Sequence, residues 1–346
     1  MRSWQPYIVV PAAFLAVLAF VSGDAAAGGE SVFAGESVLS LTIRGPLGRL
    51  AREEPAATEM SALLEFEGGE PFRGTISTYG ISRLAQCSAP PLKITFTEDD
   101  VRGTPFEGHH SVRLMPACHY EKSYGAYILL EYLTYRSYAV MAKPALRTRL
   151  VSSQYRDTER PSFAETGLGL IIEEIDDAAK RNGKSWLDIR FQRREDLDPA
   201  QVAIVALFQY MVGNTDWSVV ASAPGQGCCH NTAILGAEGD RFTSLLPFDF
   251  DQAGLVNAPY AVADKQLGIG RVTQRVYRGY CWHNDEVLSA IYLFNSKRLE
   301  LEELFKQDSL PDPYARKRAL KYLQGFYETI NTPKKREKRI LNSCRQ

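Results

Sequence analysis

Strand-like alternation of apolar and polar residues fills much of the first half of the chain, and helical spacing takes over in the second. Positions 37–43, 60–66 and 72–77 alternate with a period near two, the period of side chains on a pleated strand. Gly68-Gly69 sits between the second and third of these runs and supplies a turn. Positions 92–96 and 111–115 continue the strand series. Leu, Tyr and Ala then spread over 124–142 with helical spacing, with Glu131 set among them. Positions 146–154 alternate Arg with apolar residues, and 168–175 is a nearly continuous apolar strand that runs into acids. A short helix is expected over 176–181. Asp198-Pro199 starts another, with Asp as N-cap and Pro in the first turn, and it runs through Met211. Positions 243–248 form an extended apolar run, and 285–306 and 312–329 read as amphipathic helices. Strands first and helices later predict an α+β fold in two lobes.

Composition adds little constraint: 346 residues, 45% hydrophobic and 23% charged, are ordinary for a globular chain. A net charge of −1 gives no global field to attract nucleic acid or an anionic membrane. Lys334-Lys335-Arg336-Glu337-Lys338-Arg339 is a local basic run and reads as a solvated helical end.

The N-terminus has the layout of a signal peptide over 1–27. Arg2 is followed by an apolar stretch over 8–21 and by Ala25-Ala26-Ala27 before Gly28. The apolar stretch falls short of the ~20 residues of a spanning helix, so no stable membrane span is expected after cleavage. The predicted location is exported, periplasmic or extracellular. A strand-rich region over 28–172 and a mainly helical one over 173–346 would follow. Six cysteines, Cys87, Cys118, Cys228, Cys229, Cys281 and Cys344, fit export and read as disulfides rather than as a zinc site, since no CxxC pair occurs. Adjacent Cys228 and Cys229 would staple their loop if each bonded a different partner, with Cys118 and Cys281 as candidates.

Candidate chemistry gathers in three short segments: Gly213-Asn214-Thr215-Asp216, His230-Asn231 and Pro247-Phe248-Asp249-Phe250-Asp251. Carboxylates and amides at the ends of apolar elements are costly unless something uses them, and a divalent cation carrying phosphates would do so. Asp216 is the candidate to accept a proton from an attacking hydroxyl. Asn231, Asp249 and Asp251 are candidate metal ligands. On a strand, Asp249 and Asp251 would face the same way. His230 reads as a packed neutral histidine. No GxSxG, HExxH or P-loop motif occurs, and the glycines near 74–108 form no GxGxxG.

The pattern GNTDWS, then HN, then PFDFD resembles the spore-coat CotH kinases and, more distantly, HipA-like kinases. The 15-position gap from Asp216 to Asn231 is longer than in ordinary protein kinases and points to an atypical branch. The stretch 75–83 is similar to the polar strand-turn of CotH-like sequences. The resemblance implies a two-lobed atypical protein-kinase-like fold, with a strand-rich N-lobe and a helical C-lobe. It also implies ATP with Mg²⁺ or Mn²⁺ as cofactors and a protein hydroxyl as acceptor. Arg113 stands where related sequences place a strand Lys, with Glu131 as its partner and Lys93 as an alternative cation. Glu173, Glu174, Asp176 and Asp177 lie where a kinase hinge would be. Two other readings stay open: a kinase-like binding or envelope protein without turnover, and a metal-dependent phosphohydrolase using the same carboxylates.

Overall fold

The structure, a computed structural model, describes residues 31–53, 58–80, 82–222 and 227–346. The signal-peptide expectation over 1–27 lies outside the described residues.

Among the described residues, seven strands form the first half: β1 (Leu39–Gly45), β2 (Met60–Phe66), β3 (Phe72–Thr78), β4 (Leu92–Thr95), β5 (Ser111–Pro116), β6 (Thr148–Asp157) and β7 (Ala164–Ile172). They close into a barrel in the order β1-β2-β3-β4-β5-β7-β6. Neighbours pair antiparallel except at the closing seam, where β1 runs parallel to β6 from Leu39↔Val151 to Gly45↔Asp157. This corrects the two-lobed kinase-like fold. The predicted strands are present and the chain is α+β, but they form a closed mixed barrel rather than a kinase lobe's sheet. Closure leaves neither β1 nor β6 as an open edge.

The alternation read from the sequence fills the barrel. Leu41, Ile43, Leu64, Ile76, Ile94, Val112, Leu114 and Ile171 are buried, and Phe66, Phe72, Phe96 and Phe106 pack together beside them.

Helices α1 (Leu47–Leu50), α2 (Ser82–Gln86) and α3 (Glu98–Val101) are short insertions between barrel strands. The long α4 (Gly125–Met141) connects β5 to β6. Its buried face joins a second core, shared with α5 (Ile175–Arg181), α6 (Pro199–Val212), α7 (Asn284–Ser296), α8 (Arg298–Leu304) and α9 (Pro313–Asn331). The expected single helix over 285–306 is split at Lys297 into α7 and α8. Helix α10 (Pro333–Arg336) follows α9. A small antiparallel sheet, β10 (Ser244–Pro247), β9 (Thr232–Gly236) and β8 (Ser185–Trp186), completes the fold.

Three disulfides are present: Cys87–Cys118, Cys228–Cys229 and Cys281–Cys344. The adjacent cysteines bond each other, not Cys118 or Cys281. Among the described residues, no helix is long and apolar enough to cross a membrane.

Candidate functional site

Four chain segments converge between the barrel and the helices. The first is the end of α6. Asp198 caps its start by accepting from the Ala200 N–H at 3.0 Å, and Gly213 ends it in the left-handed region at φ 68°. A Cβ on Gly213 would collide with the Tyr322 hydroxyl oxygen, so the turn also needs glycine for space. Buried Asn214 then accepts from the Asp216 N–H at 2.9 Å, an Asx turn that aims the Asp216 side chain. Arg278 donates to the carbonyls of Thr215 and Trp217 on either side of Asp216.

The second and third segments are the open end of the β9–β10 hairpin. Thr232 pairs with Pro247, so Asn231 just before β9 lies beside Phe248 just after β10. The Phe248 N–H donates to the Asn231 carbonyl at 3.0 Å. Asn231 (φ 51°) and Asp249 (φ 59°) both occupy the left-handed region, which is uncommon outside glycine and concentrates at functional sites.

The Asn231 Nδ2 donates to Asp216 Oδ2 at 3.1 Å and to the Asp216 carbonyl at 2.8 Å. His230 Nε2 donates to Asp216 Oδ1 at 2.6 Å. Its imidazole is raised above the ordinary histidine range by that hydrogen bond and by the charges of Asp216 and Asp249, against its partial burial. His230 is therefore a partner of Asp216 rather than a packed neutral residue. Both Asp216 oxygens are engaged, which fixes the carboxylate plane, and the Asn231 amide oxygen takes no part in these bonds.

Asp249 and Asp251 do face one cleft, but not for the reason the sequence suggested. Strand β10 stops at Pro247, and the chain turns at Asp249 while Phe250 is fully buried against Tyr135 and Phe208. The Asp249 N–H donates to the Tyr135 hydroxyl at 2.9 Å, while its Oδ1 is buried with no hydrogen-bond partner. Burial, with repulsion from Asp251, pushes the Asp249 carboxyl up to about 7. Asp251, 5% exposed, is also raised, chiefly by burial and partly offset by Arg83.

The fourth segment is α4. Glu131 is 1% exposed, and burial holds its carboxyl well above the usual range. Its cationic partner is Arg83 of α2, 3.8 Å away, not Arg113. Arg83 is 6% exposed, donates to the Pro116 carbonyl at 3.0 Å and packs against the Tyr260 ring. Its Nε and Nη1 have no hydrogen-bond partner. Arg113 instead bonds Glu174 at 3.1 Å and lines neither chamber described below. Lys93 is exposed on β4. Glu173 is taken up by Arg147 and Arg181, Glu174 by Arg113 and Asp177 by His109, so three of the four acids after β7 make structural pairs.

Two chambers meet at Asp216 and Asp249. One, about 410 Å³, is lined by Tyr79, Arg83, Asp251, Tyr260 and Asp264. The other, about 430 Å³, is lined by Trp186, Asp188, Cys228, Cys229, His230 and Asn231. Gly80 and Ser82 border both. Among the described residues no cluster of three His, Cys, Asp or Glu side chains is arranged to hold a metal unaided. Asp249 lines both chambers, with Asp251 in the first and Asn231 in the second; Mg²⁺ takes oxygen groups of these kinds when phosphate oxygens and waters complete its shell. The unpartnered Asp249 Oδ1 fits such a ligand.

Arg83, Arg278 and Tyr135 were missed in the sequence as site residues. Only Arg83 left a signal there, as the last residue of the polar strand-turn over 75–83. The chain matches no family model, and no curated protein shows significant similarity to it. The likeness to CotH-like and HipA-like kinases thus rests on the short motifs.

Proposed function

We propose that this cleft binds ATP with Mg²⁺ or Mn²⁺ and transfers the terminal phosphoryl group to a hydroxyl, on a protein substrate. One observation carries the reading. Three carboxylates, Glu131, Asp249 and Asp251, crowd around a single guanidinium, Arg83, and one carboxylate oxygen at the junction of the chambers is buried and unpartnered. Such an excess of buried negative charge is costly alone and favourable around a divalent cation.

Asn231, Asp249 and Asp251 would hold the cation, which when bound neutralises phosphate charge and orients the terminal phosphate. Arg83, kept in place by Glu131 and the Pro116 carbonyl and lining the first chamber, would supply the positive charge toward the phosphates. Asp216, oriented by His230 and Asn231, accepts the proton of the attacking hydroxyl. The acceptor oxygen bonds the γ-phosphorus as the bond to the β–γ bridging oxygen breaks and ADP leaves. The chain is read as exported, and its three disulfides support an oxidising compartment.

A second reading is a binding protein without turnover. It is favoured by Arg113, a guanidinium on the strand where the resemblance implies an ammonium, which pairs with Glu174 and leaves the cleft to another arginine, Arg83.

Labelled ATP with Mn²⁺, incubated with the mature, oxidised protein, tests the proposal. Label on the protein, lost in Asp216→Asn, is expected. Free phosphate without labelled protein would indicate a phosphohydrolase. Intact ATP that is bound but never consumed would leave the binding reading.

A further inference from the structure

The basic run near the C-terminus is pinned rather than loose. Cys344 is joined to Cys281, the Arg345 N–H donates to the Gly279 carbonyl, and the Cys281 N–H donates to the Arg345 carbonyl. Residues 338–343 are thereby laid against the segment 273–277, and a cleft of about 540 Å³ opens between them. Arg275, Lys338 and Arg339 line it, with the hydroxyl-bearing Tyr210, Thr329 and Ser343. No carboxylate lines it, and among the described residues none of the three cations makes an ion pair.

Arg275 is the fixed part. Its Nε donates to the Met211 carbonyl at 3.1 Å and its Nη2 to the Tyr322 carbonyl at 2.6 Å, with the guanidinium against the Tyr322 ring. These bonds hold the fork while its Nη1 makes no hydrogen bond among the described residues. Lys338 and Arg339 are exposed and bring two further charges to the same cleft. Burial and the charge of Arg339 both disfavour the charged form of Arg275, so the cations crowd one another without a counter-charge. The Thr329 and Ser343 hydroxyls donate to the carbonyls of Gly325 and Lys338, so the cations carry the recognition: two planar forks and a point charge around one hollow match a tetrahedral oxyanion.

We infer that this cleft binds a phosphate or sulfate group, either the free ion or a monoester. It is separate from the acidic cleft and does not depend on the function proposed there. It lies behind the same loop, because Met211, which accepts from Arg275, is in the last turn of α6 before Gly213 and Asp216.

The test is a calorimetric titration of the mature, oxidised protein in EDTA at fixed ionic strength, which keeps the acidic cleft free of metal. Inorganic phosphate and phenyl phosphate are the probes. Saturable binding is expected. It should weaken about tenfold or more in Lys338→Gln/Arg339→Gln, given the strength of charge-assisted hydrogen bonds. Lys338→Gln alone, on an exposed side chain, gives a smaller loss in the same direction. Asp249→Asn leaves binding unchanged. Whichever probe binds more tightly names the source, ion or ester. No saturable binding of either probe, equal affinity in the double variant, or loss in Asp249→Asn instead would overturn the site.

Discussion

The interior of the barrel and the cleft beside it are both buried, yet they are built on opposite terms. In the barrel, apolar side chains from alternate positions meet one another, and the unpartnered polar atoms on β6 are neutral hydroxyls of Thr148, Ser153 and Tyr155. In the cleft, the unpartnered atoms include those of charge-bearing groups, Arg83, Glu131 and Asp249, and two non-glycine residues take left-handed backbone angles. The barrel is arranged for stability. The cleft gives stability away, and such a region persists when its environment over-determines it and a ligand uses it.

The largest stability effect should come from the barrel. Phe106→Ala removes a fully buried ring that packs on Phe66, Phe72 and Phe96, at a cost of about 3–5 kcal/mol. Denaturant unfolding measures it, and a cost under about 1 kcal/mol would mean that the aromatic cluster can collapse around the loss. Affinity of the folded fraction for a cation should not change.

The cleft should behave in the opposite sense. Asp249→Asn keeps the shape and tolerates the left-handed angle, but removes a buried charge. The metal-free variant is expected to be more stable than wild type by about 1 kcal/mol or more. A clear loss of stability would show that the Asp249 carboxylate has a structural partner.

The pH dependence follows the same contrast. The folded-state value of Asp249, about 7, lies above the ordinary carboxylate value, so the folded protein holds this proton more tightly than the unfolded chain. The stability so gained is full at low pH and is lost as pH rises through about 7. His230 is also raised, so its contribution is present below the ordinary histidine value and disappears as pH rises through the folded value. Both groups act in one direction. The melting temperature of the metal-free protein should fall by several degrees between pH 5 and pH 8, and Mn²⁺ should oppose the fall. A flat profile in EDTA would contradict the charge arrangement of the cleft.

The vicinal disulfide gives the smallest expected effect, and the long-range one rivals the barrel. In the chain-entropy account, Cys228–Cys229 closes a two-residue loop and its loss costs about 1 kcal/mol. Loss of Cys281–Cys344, separated by 63 positions, costs roughly 4 kcal/mol. Paired Cys→Ser variants, compared by thermal melting, measure the difference. Equal costs would show that the vicinal pair orders the Cys228–Asn231 loop well beyond its own ring.

Local signals were legible in the sequence where local physics decides. Met60–Phe66 alternates and is a strand with those bounds, and Asp198-Pro199 starts α6, the helix that leads to Asp216. Closure of the barrel was not legible, because the parallel seam of β1 with β6 joins segments more than a hundred positions apart and leaves no local mark. The Asp216, Asn231 and Asp249 segments were picked out by their acids and amides, and the β9–β10 hairpin brings them together. The cation was misassigned. Arg113 sits on a strand in the expected place, but Glu174 takes it, while Arg83 reaches Glu131 from a short helix. Periodicity cannot report such an exchange, since it depends on how β3 leaves the barrel. The two-residue rule brought Asp249 and Asp251 together for a strand that ends before them.

The most direct measurement is a calorimetric titration of ATP with Mn²⁺ into the mature, oxidised protein, wild type beside Asp249→Asn. The expected result is saturable binding that needs both nucleotide and cation and vanishes in a variant that melts no lower than wild type. No binding to wild type, or equal binding to both, would contradict a shared cation in the acidic cleft.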